Sequence, residues 1–324
     1  MGGYILRRLV AVIPVVLLVS VLVFSMQHLL PGDPALALAG EERDPQVLAE
    51  IRAKYGLDRP LPVQYARWAA LALRGDLGDS IRTRLPVTSL VVEKLPVTAE
   101  LAILSFLVAL AVAVPLGVLA AIRRDTVWDA LATTGALSGL SIPNFWLGIL
   151  LILLVAVRWD LLPASGYVPP GQDLWGNLVR MILPALVLGT GLAAVLMRHV
   201  RASLLDVLRL DYVRTARSKG MGEWLVIVRH ALPNALIPVV TVSGLELGTL
   251  LSGAVLTEQI FNVPGFGKLI VDAVFNRDYP VVQGVVLFTS TAYVAVNLLV
   301  DVAYALLNPR IRTAGIGRAQ GAGG

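Results

Sequence analysis

Residues 211–236 read DYVRTARSKGMGEWLVIVRHALPNAL, a basic stretch set between two strongly apolar runs. Asp211 suits a helix N-cap, and its charge favours a helix N-terminus. Gly220 suits the C′ position, with Arg217 and Lys219 in the last turn where cations oppose the helix dipole. The spacing therefore predicts a helix of about eight residues, YVRTARSK, too short to persist alone in water. It needs a surface. One surface is the lipid headgroup layer, where each basic residue contributes about 1 kcal/mol. The other is a protein groove, approached closely at Ala216, with Tyr212 and Val213 supplying apolar contact.

The flanking runs place the chain in the membrane class. Of its 324 residues, 56% are hydrophobic and 15% charged, against about 25% charged in soluble domains. Mean hydropathy is +0.76. Six stretches meet the requirement of about 20 apolar residues per span: 9–30, 101–122, 130–157, 181–197, 231–256 and 281–307. Pro14, Pro115, Pro143, Pro184 and Pro238 lie inside them, tolerated where neighbours satisfy the freed carbonyls. The net charge of +5 reflects arginines and lysines bordering spans, a membrane pattern that speaks against nucleic acid as partner. Residues 198–229 hold seven basic and three acidic side chains. Residues 31–96 hold nine of each, and residues 258–280 two basic and three acidic. By the positive-inside rule both termini are expected in the cytoplasm. The first apolar run, of 22 residues, is too long for a signal h-region of 7–15 and reads as a span.

Residues 31–96 are expected outside the membrane. Asp44 and Pro45 read as N-cap and first helical residue, Leu48, Ile51 and Tyr55 share a face, and Gly56 stops the helix. A second helix is expected over residues 62–74, with Tyr65, Trp68 and Ala72 on one face, before the turn-rich RGDLGDSIRTRLPV. The segment serves either as a cap over helix ends or as a platform for an external partner. No catalytic apparatus emerges. There is no cysteine, and His28, His199 and His230 lack metal-ligand spacing. NVPGFGKLI lacks both the first glycine and the Ser/Thr of a phosphate-binding loop. Glu246 lies mid-span, costing about 3 kcal/mol on insertion scales, as a pathway group or a packing partner. Asn144, Asn297 and Asp301 are further intramembrane polar groups, and Gly244, Gly248 and Gly253 favour close helix packing.

Ala216, Gly220 and Leu232-Pro233 resemble the EAA loop of ATP-binding-cassette importer permeases, with Arg214 in place of the glutamate, Thr215 of the first alanine and His230 of an isoleucine. DYVRTARSKG followed by RHALPNALIPV is similar to the dipeptide and oligopeptide variant. LRRL, LPGDPA, YGLDRPLPVQYARW, RGDLGDSI, FNVPGFGKL, RDYPVVQG and NPRIR match, in order, the B-type subunit of that family. The resemblance implies an all-α, six-span type I permease fold and no catalysis in this chain. Residues 1–96 would form a first span plus outer helical segment, 97–307 a five-helix core with its coupling loop at 201–233, and 308–324 a cytoplasmic tail. The short helix would be the coupling helix, with Tyr212, Val213, Arg214, Thr215, Ala216, Arg217, Gly220, Leu232 and Pro233 as ATPase-coupling residues. Implied partners are a second, C-type permease, two ATPases carrying ATP and Mg, and an external solute-binding protein, all at the cell inner membrane. Asp76, Asp79, Phe261, Phe266, Asp278 and Tyr279 would dock the binding protein, and Glu246 and Asn144 would line the pathway. The solute would be a dipeptide or oligopeptide, or alternatively glutathione, a nickel chelate or another small solute. A self-contained secondary transporter or channel is the reading from a different class, weakened by the absence of a visible repeat and by a single central acid.

Overall fold

The computed structural model describes residues 2–29, 35, 39 and 44–307, and these are helical almost throughout. α1 spans Gly2–Leu29. α2 (Pro45–Tyr55) starts where predicted: the Asp44 carboxylate accepts from Gln46 N at 2.8 Å, and Gly56 ends it at φ +68°. The side chains of Ile51 and Tyr55 lie outside the described residues, as do those of His28 and Asp301. α3 (Leu61–Ala72) ends two residues earlier than expected. Its Tyr65 and Trp68 pack on Phe24 of α1 at ring-centroid distances of 5.6 and 5.8 Å, and the Tyr65 hydroxyl pairs with Ser20 at 2.8 Å.

α4 (Val87–Ile122) begins 14 residues before the predicted span, so the last ten residues of the expected outer segment, 87–96, belong to this helix. At 1.5 Å per residue its 36 residues extend about 54 Å, longer than the ~30 Å hydrocarbon core. The stretch read as one span over 130–157 is broken instead. α5 (Val127–Ser141) and α6 (Asn144–Leu151, continued as a wider π-helical coil over Ile152–Arg158) meet at 99°. Pro143 causes the break. Its ring forces the preceding Ile142 out of helical geometry, to φ −82° and ψ 120°, and it has no N–H to restore the ladder.

α7 (Leu174–Val207) is twice the length of the stretch 181–197 expected for it. Asn177, Arg180, Arg198 and Arg201 lower the local hydropathy but not the helicity. The Asp173 carboxylate caps it through Gly176 N at 2.9 Å. α8 is Asp211–Ser218. After one turn (Glu223–Leu225) and a π-helical coil (Val226–Ala231), α9 runs over Leu232–Gly253. α10 (Val255–Ile260), α11 (Phe266–Phe275) and α12 (Tyr279–Leu307) complete the described chain. Among the described residues four helices are long and apolar enough to cross a membrane, or five if the α5–α6 pair counts as one; α1 adds the shorter apolar stretch Val10–Ser25.

The chain divides into two compact units, residues 1–5 with 99–263 and 295–324, and residues 6–98 with 264–294. The first is organised around α7, whose Met181, Leu183, Val187, Leu196, Met197, Val200 and Leu204 are buried. Here α4 and α7 approach backbone to backbone. A Cβ on Gly189 would lie 2.8 Å from Ser105 O, and one on Gly117 would lie 2.9 Å from Met197 O. Sequence reading placed the glycine packing on the fifth span. Gly244 there does meet Val300, but the surroundings of Gly253 lie outside the described residues. Residues 159–173 are tied down by Tyr167, whose hydroxyl donates to Glu100 at 2.9 Å. Burial, then this bond, pushes the phenol pKa up to about 12. The second unit packs Val87, Val91, Phe266, Ala273, Val281 and Val285 into one core.

Candidate functional site

The basic loop after α7 is an ordered element. Asp211 is the first helical residue of α8 and not its N-cap; Leu210 holds that place with no side-chain cap. The carboxylate still lies in the first turn, where charge rather than a cap bond stabilises the terminus. Val213 and Ala216, three residues apart, share one face. Both are buried, packed with Val226 against Val207, Leu208 and Met221. Full burial of a valine contributes about 1.5–3 kcal/mol, enough to hold a two-turn helix that cannot hold itself.

This corrects the expectation that Val213 and Ala216 meet a partner. They face the chain's own body, and a fully buried side chain has no surface left to offer. Tyr212, Arg214, Thr215 and Arg217 are exposed and form the outward face. Gly220 leaves the helix at φ +77°, and a Cβ there would meet no atom within 4 Å. Its glycine is required by backbone conformation alone. Arg217 then closes the turn, with Nε and Nη2 donating to the two Glu223 oxygens at 3.0 and 2.6 Å. That hydrogen-bonded pairing, opposed by partial desolvation, raises the guanidinium pKa.

Leu232 and Pro233 join the same region from the next element. Pro233 supplies no N–H and its ring crowds the carbonyl four residues back, so the ladder ahead of it cannot be plain α. The chain widens into the π-helical coil at Val226–Ala231. The His230 carbonyl, within this coil, accepts from the Tyr212 hydroxyl and from Asn234 Nδ2, both at 3.3 Å; Asn234 also donates to Tyr212 at 2.8 Å. Tyr212 thus links α8 to the start of α9.

In the second unit, Asp278 ties two sequence segments together. Its buried carboxylate accepts from Ser80 Oγ at 2.5 Å, Ile81 N at 3.0 Å and Arg82 N at 3.4 Å, while Thr98 Oγ1 accepts from Phe266 N at 2.9 Å. Phe261, Phe266, Asp278 and Tyr279 are all at least nine-tenths buried, which corrects their reading as docking contacts. Aromatics and an acid in a turn-rich segment resemble a binding surface in sequence, but here each is a buried residue within its own unit. Asp76 and Asp79 remain exposed, and Asp76 accepts from Gly78 N at 2.9 Å.

Of the two pathway candidates, Glu246 is half-buried on α9, and Asn144 is exposed at the first position of α6, beside Gly191 of α7. Sequence reasoning missed an ion pair built on a buried carboxylate. Arg201 of α7 donates Nε and Nη2 to Asp129 of α5 at 2.7 and 2.6 Å, and Asp125 N adds a bond at 3.1 Å. It also missed Glu258, fully buried on α10. Among the described residues no group of acidic and histidine side chains is arranged to hold a metal.

Comparison with known proteins agrees over nearly all of the chain. Residues 113–313 match the family model of the binding-protein-dependent transport system inner membrane component, and residues 1–102 match the N-terminal model of the same membrane components. The dipeptide transport system permease protein DppB of Escherichia coli K12 is 45% identical, covering 95% of this chain and 98% of that protein. The glutathione transport system permease protein GsiC of Salmonella paratyphi A is also 45% identical, covering 96% and 99%. A chain of the inward-facing MetNI methionine ABC transporter shares the fold at a TM-score of 0.57 and 17% identity, covering 68% of this chain and 96% of that one. A helical membrane chain matched over this much of its length is a permease subunit, and it belongs to the family of binding-protein-dependent transport system inner membrane components.

Proposed function

We propose that this chain is one of two permease subunits forming the translocation pathway of an ATP-driven importer for dipeptides or oligopeptides, with α8 as its coupling helix. The packing of α8 carries the reading. Two small apolar side chains fix the helix to the permease body, while Tyr212, Arg214, Thr215 and Arg217 remain exposed for a cytoplasmic ATPase. Motion imposed on that face passes to α9 through Tyr212, His230 and Asn234.

Six spans with both termini in the cytoplasm fit the charge asymmetry, counting α1 as the first and the α5–α6 pair as the third. Asp76 and Asp79, exposed in the segment that the charge count assigns to the outside, belong to the surface offered to a solute-binding protein. ATP and Mg act in the partner ATPases. Peptides as solute are supported by the dipeptide permease relative; the equal identity to the glutathione permease keeps that tripeptide as the alternative.

Proteoliposomes holding the assembled importer test the reading. Uptake of labelled dipeptide should require binding protein and internal ATP, and vanish without the ATPases. Uptake by this chain without ATPases would make it a self-contained transporter instead.

A further inference from the structure

An open apolar groove of about 390 Å³ lies between α4, α5 and α7, within the 300–1,000 Å³ range of ligand sites. Its walls include Leu116 and Leu119 of α4, Ala132, Gly135 and Gly139 of α5, and Met197 of α7. Trp128, more than half exposed, closes one end at the start of α5. A polar pocket of about 320 Å³ is lined by Arg124 and Asp125 of the turn between α4 and α5 and by Arg201, Asp206 and Arg209 at the end of and after α7. Leu119 and Trp128 of the groove flank Arg124 and Asp125 of the pocket in sequence, and Met197 of the groove lies one helical turn before Arg201 of the pocket on α7, so groove and pocket adjoin.

The charges leave room for an anion. Arg201 commits Nε and Nη2 to the buried Asp129, which leaves its Nη1 unused. Arg124 pairs with Asp125 at 3.1 Å, with both side chains well exposed, a bond of little worth in water and open to exchange. Arg209 is exposed. A tryptophan at the junction of an apolar face and an arginine-bearing loop marks the level of the membrane interface. Apolar depth on one side of that level and arginines on the other match a molecule with acyl chains and a negative headgroup.

We propose that the groove and pocket together hold one anionic phospholipid of the cytoplasmic leaflet, its acyl chain along Gly135 and Gly139 and its phosphate among Arg124, Arg201 and Arg209. Arg201 thereby serves both the internal pair that fixes α5 to α7 and the headgroup.

The test uses the assembled importer in nanodiscs of equal phosphatidylglycerol and phosphatidylethanolamine, released into detergent and weighed by native mass spectrometry. Phosphatidylglycerol should be retained in preference to phosphatidylethanolamine. Arg124→Gln and Arg209→Gln should each lower that preference about fivefold. Gly135→Leu should lower retention of both lipids, because an added Cβ there meets no atom within 4 Å and the longer side chain occupies the groove without a clash. Inorganic phosphate at millimolar concentration should leave retention unchanged, since it lacks the acyl anchor. Equal retention of the two lipids by the wild type would overturn the proposal, as would unchanged preference in the two arginine variants. So would cross-linking of a cysteine at Gly135 to the second permease subunit with no lipid retained, because the groove would then be a subunit contact.

Discussion

The α8 loop and the Asp278 knot are both ordered by the chain's own contacts, and they are ordered by opposite means. The α8 loop is held by small apolar side chains, Val213 and Ala216, under a charged outer face. The knot is held by one buried carboxylate that collects a hydroxyl and two backbone N–H groups from residues 80–82. Apolar packing is non-directional and tolerates small sliding of one element on another. A carboxylate with three donors fixes direction and distance, and loses much of its value when either changes. Under the proposed function, the α8 loop would receive motion and the knot would hold a surface still.

The largest effect should come from Ala216→Glu. A carboxylate would replace a buried methyl beside Val213 and Val226, with no partner among the residues of that cluster, at a cost on the order of 3 kcal/mol or more. The variant should reach the membrane, lose protection from hydrogen exchange over 211–219 and lose uptake. Normal exchange there would mean that Ala216 does not seat the helix.

Asp278→Ala should cost less, about 1–3 kcal/mol, because it strands the buried Ser80 hydroxyl while the less buried N–H groups of Ile81 and Arg82 can turn to water. External trypsin should then cut faster after Arg82 and Arg84, and uptake driven by the binding protein should fall while the α8 loop is unaffected. Equal cleavage rates would remove the carboxylate as the tie. Gly220→Val should cost about 1–2 kcal/mol, entirely through backbone strain at φ +77°. Gly220→Asn should recover most of the lost uptake, since asparagine tolerates that conformation. If both lose uptake equally, the open space around Gly220 is filled in the assembly, and the position is a contact rather than a hinge.

How much of this was legible depends on the range of each signal. Local rules found the Asp44 cap, the stops at Gly56 and Gly220 and the existence of α8, because each depends on a few adjacent residues. They could not say which way Ala216 faces. In an eight-residue helix between two spans, a small residue fits a partner groove as well as it fits the chain's own core. Hydropathy shortened α7, because arginines that pair inside the protein count there as if they faced lipid. Pro143 was visible, but whether a proline kinks a span or breaks it depends on what packs around the bend. The Asp129–Arg201 pair joins residues 72 apart, and Asp278 meets Ser80 across 198, so neither leaves a periodic trace. The aromatics near Asp278 were read as surface because their segment is rich in turns, when burial was their role.

The central claim is that α8 turns Thr215 toward an ATPase and Ala216 toward its own permease. The chain has no cysteine, so single cysteines at the two positions can be compared directly within the assembled importer. With a short bifunctional maleimide–amine reagent, Thr215→Cys should cross-link to an ATPase subunit in high yield, more strongly with nucleotide present, and Ala216→Cys should not. Equal cross-linking from both positions, or from Ala216→Cys alone, would contradict the account.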